Sequence, residues 1–311
     1  MLQNQEKQDY ELTLFDRVNV IKDTINKYGV DNFYLSFSGG KDSTILHYLL
    51  DMALPENRIP RVFIDTGIEY NLIREFVKDM ASKDDRFVML KPAQPIKKTL
   101  ETYGYPFKSK SHADWLKRYQ QKGMTRFVKN YLGEGEKTLF RGCPKMLKFQ
   151  FTEDYPLKVS DMCCIKMKEE PLKNWAKANN RSIPIIGVMK EEGGRRMKSK
   201  CIVIKDNKVK AFQPLAVIKK EWEEEFIEKN NIKLCELYYP PYNFRRTGCK
   251  GCPFALDLQH NLDIMEKFFP NEKKQCEAIW KPVYDEYRRL NYRLTNKKQL
   301  NLFEEENDET L

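Results

Sequence analysis

Two groups of residues in this chain have the types and spacing to do chemistry. The first is Ser38-Gly39-Gly40-Lys41-Asp42-Ser43, which follows the apolar run Phe33-Tyr34-Leu35-Ser36-Phe37 and precedes a helical pattern over 44–52. Small residues between a strand and a helix let backbone N–H groups turn toward one point, and the helix N-terminus adds its positive end, so an anion of phosphate size fits there. Lys41 adds a full charge. The spacing is not that of Walker A, which places four residues between its first glycine and Gly-Lys-Ser/Thr. The second group is cysteine: Cys163 and Cys164 are adjacent, and Cys249 and Cys252 form a C-x-x-C. That grouping points to metal or redox chemistry rather than a disulfide framework.

The elements that must position these residues alternate between strand and helix. A helix over 12–29 ends at Gly29, and short strands are expected at 33–37, 61–65 and 87–90, with a helix over 70–83 between the last two. The second strand ends in Asp65-Thr66-Gly67, at the end of the sheet where ligands of open α/β folds collect. Residues 91–160 break the rhythm and read as short helices and loops. A helix over 172–179, a strand over 183–188, short strands over 201–204 and 209–212 and a helix over 219–230 resume it, and helices over 261–268 and 272–290 follow. The fold class is therefore α/β, a parallel sheet with helices on both faces, plus a mainly helical basic insertion and a helical C-terminal region. The divisions read as 1–96 for the first part of the core, 97–160 for the insertion, 161–255 for the rest of the core with its cysteines, and 256–311 for the C-terminal helices and a solvated acidic tail over 304–309. No internal repeat is visible.

The 311 residues, 41% hydrophobic, can bury one sizeable core without disulfide staples. The first residues lack a signal-peptide pattern and no apolar run is long enough to span a bilayer, so a cytoplasmic protein without a membrane partner is expected. The net charge of +10 is concentrated, because residues 97–149 hold 13 Lys/Arg against four Asp/Glu. There Lys108, Lys110, Lys117, Arg118, Lys122, Arg126 and Lys129 interleave with Tyr105, Phe107, Trp115, Tyr119, Phe127 and Tyr131, a pattern that offers phosphate contacts and stacking faces to RNA or DNA, or is a solvated face.

Ser-Phe-Ser-Gly-Gly-Lys-Asp-Ser after a strand resembles the phosphate loop of PP-loop ATP pyrophosphatases, and the rest of the chain resembles the phosphoadenosine phosphosulfate (PAPS) reductase family within them. The likeness extends from about residue 33 to about 255: Asp65-Thr66-Gly67, then Cys163-Cys164 with Lys166 and Pro171-Leu172, then Gly187-Val188-Met189-Lys190-Glu191-Glu192-Gly193-Gly194-Arg195-Arg196, Gln213-Pro214-Leu215, Leu237-Tyr238, and Gly248-Cys249-Lys250-Gly251-Cys252-Pro253. The resemblance implies an adenine nucleotide held by Ser36, Phe37, Ser38, Gly39, Gly40, Lys41, Asp42, Ser43, Asp65, Thr66, Glu192 and Arg196, with Lys41 and Asp42 catalytic and Asp42 helping to place Mg2+. It implies a [4Fe–4S] cluster on Cys163, Cys164, Cys249 and Cys252, with Lys166, Lys168 and Lys250 offsetting its charge, and Zn2+ as the alternative.

The chain departs from the family pattern in three places. Met189 stands where the family's first arginine is expected, Gly193 stands where serine is common, and the C-terminal Glu-Cys-Gly-Leu-His that carries the reductase nucleophile is absent from the 311 residues. The intact Gly-Gly-Lys-Asp-Ser favours ATP over a sulfonucleotide, which has no β,γ-phosphates to grip. The expectation is an AMP- and pyrophosphate-forming enzyme of sulfur transfer, with a sulfur-donor protein as a further partner. The alternatives are a PAPS or adenylylsulfate reductase whose nucleophile has moved, Cys143 in its basic loop being the candidate, and a nucleotide-sensing, nucleic-acid-binding protein without turnover.

Overall fold

The computed structural model describes residues 2–135, 142–192 and 194–295, and side chains within 9–135, 142–191 and 196–295. The acidic run over 304–309 and the residues 136–141 of the basic insertion lie outside them. In chain order come α1 (Leu2–Tyr28), β1 (Phe33–Ser36), α2 (Lys41–Ala53), β2 (Arg61–Ile64), α3 (Asn71–Lys83) and β3 (Phe87–Leu90). The insertion supplies α4 (Ile96–Tyr103), α5 (Lys110–Lys122) and α6 (Arg126–Leu132), and α7 (Met162–Cys164) follows. The α/β rhythm then returns as α8 (Glu170–Ala178), β4 (Ile183–Ile185), β5 (Ile202–Lys205), β6 (Lys208–Phe212) and α9 (Lys220–Lys229), before α10 (Leu258–Phe268) and α11 (Pro270–Arg289).

These elements form two compact units. The first comprises Met1–Asp65, Glu69–Pro92 and Glu170–Gly248; the second comprises Thr66–Ile68, Ala93–Glu169 and Cys249–Leu311. The first unit contains the six-stranded sheet, ordered β3-β2-β1-β4-β6-β5. Every neighbouring pair is parallel except β5–β6, a hairpin that adds an antiparallel edge to the parallel sheet expected from the sequence. In β1, Phe33 and Leu35 point to one face and Tyr34 to the other, and all three are buried, so both faces of the sheet are covered. Ala176, Leu172 and Trp175 of α8 cover Tyr34 and Val62.

The chain builds outward from β1 to β2 and β3 on one side, and places β4 on the other. The carboxyl end of β1 is thus the point at which strand order reverses, where open α/β sheets form a crevice. Residues 38–43 sit there. The strand expected over 183–188 stops at Ile185, because Ile186 and Gly187 turn into that crevice. The first helix begins at Leu2 and not at residue 12: Gln, Glu and Lys carry it by helix propensity where no apolar period marks it.

The second unit is helical. Phe107, Leu116, Val128, Tyr131, Phe151, Trp280, Tyr284 and Tyr287 are buried in it, with the Phe107 and Tyr287 rings 4.7 Å apart. His112 lies fully buried among them, bonded to the Tyr131 hydroxyl at 2.9 Å and to Gln150 Oε1 at 2.8 Å. No helix among the described residues is long and apolar enough to cross a membrane.

Candidate functional site

The loop after β1 is held in shape by its own small side chains. Ser43 Oγ accepts from Ser38 N at 3.2 Å and donates to the Gly40 carbonyl at 2.9 Å, and Thr44 Oγ1 donates to the same carbonyl at 3.0 Å. Gly39 has φ +71°, and a Cβ there would meet Val77 Cγ2 at 2.8 Å and Ile73 Cγ2 at 3.0 Å, so both conformation and space demand glycine. Gly187, after β4, lies against the first turn of α2, where a Cβ would stand 2.7 Å from Asp42 Cβ. Gly40 has no side chain with which to cap α2, whose N-terminal end lies at the crevice with the Lys41 amide bonded to the Tyr238 hydroxyl.

Ser36, Ser38, Gly40, Lys41, Asp42 and Ser43 line a cleft of about 980 Å³, a nucleotide-sized volume, entirely within the first unit. Arg196 lines it as well. Burial lowers the pKa of its guanidinium, as does the charge of Arg246, and Asp42 opposes the shift. The Phe37 ring instead packs in the core, 5.0 Å edge-on to Phe87, so only its backbone belongs to the loop. Asp65 does not line the cleft; its carboxylate pairs with Arg74 at 2.9 Å. Thr66 is buried in the second unit. The Glu192 side chain is outside the described ones.

Three cleft residues carry contacts that the motif does not announce. Glu223, on α9, pairs with Lys41 Nζ at 2.6 Å and is almost wholly buried. Burial first, and the Asp42 charge second, push its carboxyl up to about 7, while Lys41 pulls it down. Tyr238 accepts from the Lys41 amide at 3.0 Å and shares a 2.6 Å hydrogen bond with Thr247. Glu223 is concealed in the run Glu221-Trp222-Glu223-Glu224-Glu225. The available signal was its place beside Trp222 and one turn before Phe226, both buried, on an otherwise polar helix.

The four cysteines belong to the second unit. The turn that carries Cys249 and Cys252 is fixed by α11 and the residues after it: Trp280 Nε1 donates to the Lys250 carbonyl at 3.1 Å, the Tyr284 hydroxyl donates to the Gly251 carbonyl, and Tyr287 and Arg293 donate to the Pro253 carbonyl at 2.9 and 2.6 Å. Cys163 and Cys164 end α7, just before a wider helical turn over Ile165–Glu169, and Asp161 ahead of them is tied to Lys117 at 2.7 Å. The thiols feel one another. Cys163 is pushed well up by its hydrogen bond to Cys164, by burial and by the charges of Cys164, Cys252 and Cys249; Cys252 is pushed up by burial and then by Cys249 and Cys164. Cys164 is pulled down to about 6 by that same hydrogen bond, helped by Lys110 and Lys168. Among the described residues no three His, Cys, Asp or Glu side chains stand in a metal-holding arrangement. The donor chemistry nonetheless fits a thiolate-ligated centre: four thiols share one electrostatic neighbourhood, their ionisation is mutually opposed, and lysines stand nearby to offset it.

Cys143 differs. Burial pushes its thiol up to about 11, against the partial help of Lys108 and Lys148, so the basic loop does not make a reactive thiolate. The expected stacking faces of the insertion are also fewer than the sequence implied. Phe107 and Tyr131 are core residues, whereas Phe127 is 64% exposed and stacks 6.5 Å from Trp115. Lys117 pairs with Asp114 and Asp161, and Arg118 with Asp114 and the Trp115 ring; Lys110, Lys122, Arg126 and Lys129 are exposed.

Among known proteins, the chain is 24% identical over 258 residues to an uncharacterized protein of Methanocaldococcus jannaschii, covering 81% of this chain and 48% of that one. It thus spans about half the length of the curated relative it matches. Its structure is similar to Candida glabrata FMN adenylyltransferase (15% identity, TM-score 0.42, 74% of this chain and 60% of that one). It is also similar to the U34-tRNA thiolase NcsA of Methanococcus maripaludis with its [4Fe–4S] cluster (15% identity, TM-score 0.39, 88% and 80%). A family model matches over residues 32–143 and 144–255, which carry both the phosphate loop and the four cysteines, and the chain accordingly belongs to the phosphoadenosine phosphosulfate reductase domain family.

Proposed function

We propose that the chain is an ATP-dependent, AMP- and pyrophosphate-forming enzyme of sulfur transfer. The observation that carries this reading is the complete loop 38–43 at the strand-order reversal, with Lys41 and the α2 N-terminus directed at a cleft large enough for a whole nucleoside triphosphate. The loop amides and Lys41 would grip the phosphates that leave. Arg196 would answer charge on the phosphate that stays, and Asp42 would hold Mg2+, which neutralises polyphosphate charge when bound. An acceptor oxygen attacks the α-phosphorus, the α–β anhydride bond breaks and pyrophosphate departs with its electron pair. Sulfide-level sulfur from a donor protein then displaces AMP from the activated carbon or phosphorus. Cys163, Cys164, Cys249 and Cys252 would hold a [4Fe–4S] cluster, which supplies a redox-active, sulfur-binding centre, with Zn2+ as the other metal that suits four thiolates. The exposed cations of α5 and α6 would take an RNA or DNA acceptor.

The reductase alternative needs a thiolate nucleophile, and Cys143, held up to about 11 by burial, does not supply one at neutral pH. The test is AMP and pyrophosphate release from ATP–Mg2+ by anaerobically prepared protein, wild type against Lys41→Ala, with and without bulk tRNA or DNA. Release that requires Lys41 and rises with one nucleic acid supports the reading and names the acceptor class. Tight nucleotide binding without release under any condition would replace it with a binding-only protein.

A further inference from the structure

Glu223 has an unusual position for a carboxylate. Its side chain is 3% exposed, and of its two oxygens only Oε2 is served, by Lys41 Nζ at 2.6 Å. Oε1 is buried without a hydrogen-bond partner. Both Glu223 and Asp42 line the cleft, and Asp42 acts on the Glu223 carboxyl through its charge and, where one of the two carries a proton, through a hydrogen bond between the two side chains. Lys41 answers one oxygen and the Arg196 charge acts on Asp42, yet the two carboxylates still converge on the place where a polyphosphate, itself strongly negative, has to enter. Two carboxyl groups so placed are reconciled either by a proton held between them or by a cation that replaces it. Magnesium is the cation for such a place, because it takes one or two protein carboxylates and completes its oxygen shell with water and substrate phosphates.

We propose that Glu223 Oε1 and Asp42 together bind the divalent cation that accompanies the nucleotide, with Lys41 released from Glu223 to the phosphates as the cation arrives. The inference rests on the reading of the cleft as a nucleotide site, and it adds a ligand from α9, 181 positions beyond Asp42 in the chain. The structural alternative is that Glu223 only anchors Lys41. In that role Oε2 holds Lys41 while the carboxyl shares a proton with Asp42, a pairing that takes up no Mn2+.

The test is Mn2+ titration followed by the electron paramagnetic resonance of the free ion, with and without the α,β-methylene analogue of ATP, on wild type, Glu223→Gln, Glu223→Asp and Asp42→Asn. A parallel arm measures binding of the analogue in EDTA. Wild type is expected to take up one Mn2+ with the analogue. Each variant should weaken that uptake by about tenfold or more, while analogue binding in EDTA is kept or strengthened in Glu223→Gln. Mn2+ uptake by Glu223→Gln equal to wild type, or none by wild type, overturns the proposal. If Glu223→Gln does not fold, Glu223→Asp and Asp42→Asn carry the test, and unchanged uptake in either overturns it. Failure of wild type to bind the analogue both in EDTA and with Mn2+ would sink the nucleotide reading itself, whereas binding of the analogue with no uptake of Mn2+ would sink only the metal site.

Discussion

Gly39→Ala is the substitution for which the loop makes its sharpest prediction. The residue has φ +71°, a conformation that costs an L-residue about 1–2 kcal/mol. Its new methyl would stand 2.8 Å from Val77 Cγ2 and 3.0 Å from Ile73 Cγ2, and these are branched side chains on α3, both buried and unable to swing aside. Overpacking of that kind adds about 1–3 kcal/mol, so the expected loss is roughly 2–5 kcal/mol unless the loop itself moves. If it moves, Gly40 and Lys41 move with it, and the Lys41 amide loses its 3.0 Å bond to Tyr238. Either way the variant should be impaired, in urea stability or in nucleotide affinity. Gly67→Ala is the control: its φ is +80° but no atom lies within 4 Å of the added methyl, so it should show the backbone cost alone. A Gly39→Ala protein whose urea midpoint and ATP affinity both matched wild type, or whose loss matched Gly67→Ala, would refute the argument that packing against α3 fixes the loop.

Two further outcomes follow from burial. Cys143, raised to about 11, should react with iodoacetamide at neutral pH about a hundredfold more slowly than an unperturbed thiol, and the rate should still be climbing above pH 10; rapid labelling at pH 7.5 would restore it as a nucleophile. His112 is held down to about 4, chiefly by burial, so the folded state resists its protonation while the unfolded chain accepts it below about 6.5. Its contribution is therefore present above that pH and lost as pH falls toward 4, by about 3 kcal/mol over the 2.5-unit gap, and urea titrations of the second unit should show a flatter pH profile in His112→Gln.

Much of the first unit was legible because its signals are local. β1, β2 and β3 are apolar runs bounded by turn residues, and the 38–43 motif is contiguous, so strand, loop and helix follow from neighbouring residues alone. The antiparallel β5–β6 edge was not legible, since Asp206-Asn207 at positive φ turns the chain by two residues that read as an ordinary polar loop. The insertion was opaque for a different reason. Its aromatics are arranged for a core of their own, with His112 hydrogen-bonded at its centre, and a lysine-rich sequence conceals that period. Interleaved Lys and aromatic residues therefore overstated the stacking surface, and only the fold separates Tyr131, a core ring, from Phe127, an exposed one.

The site residues that escaped sequence reading have a common cause. Lys41 is identified by its motif, but what Lys41 touches is decided by α9 and by the segment at Tyr238–Thr247, which reach the loop only because β4 and β6 are laid down beside β1. A glutamate within Glu221-Trp222-Glu223-Glu224-Glu225 looks solvated by composition; it is buried because Trp222 and Phe226 commit that face of the helix inward, and it is charged against Asp42 because the strand-order reversal brings α2 and α9 to one crevice. Titration carries the mark of this arrangement. His47, lowered to about 4 by burial and Arg61, favours the folded first unit as pH rises, whereas Glu223, raised to about 7, disfavours it between about 4.5 and 7. The two opposed groups belong to one unit, so its stability should vary less across that window than that of the second unit, where His112 stands against no raised carboxylate among the described residues. The carboxylate that destabilises the folded first unit at neutral pH is thus the one directed into the cleft, as expected of a group kept for its ligand and not for the fold.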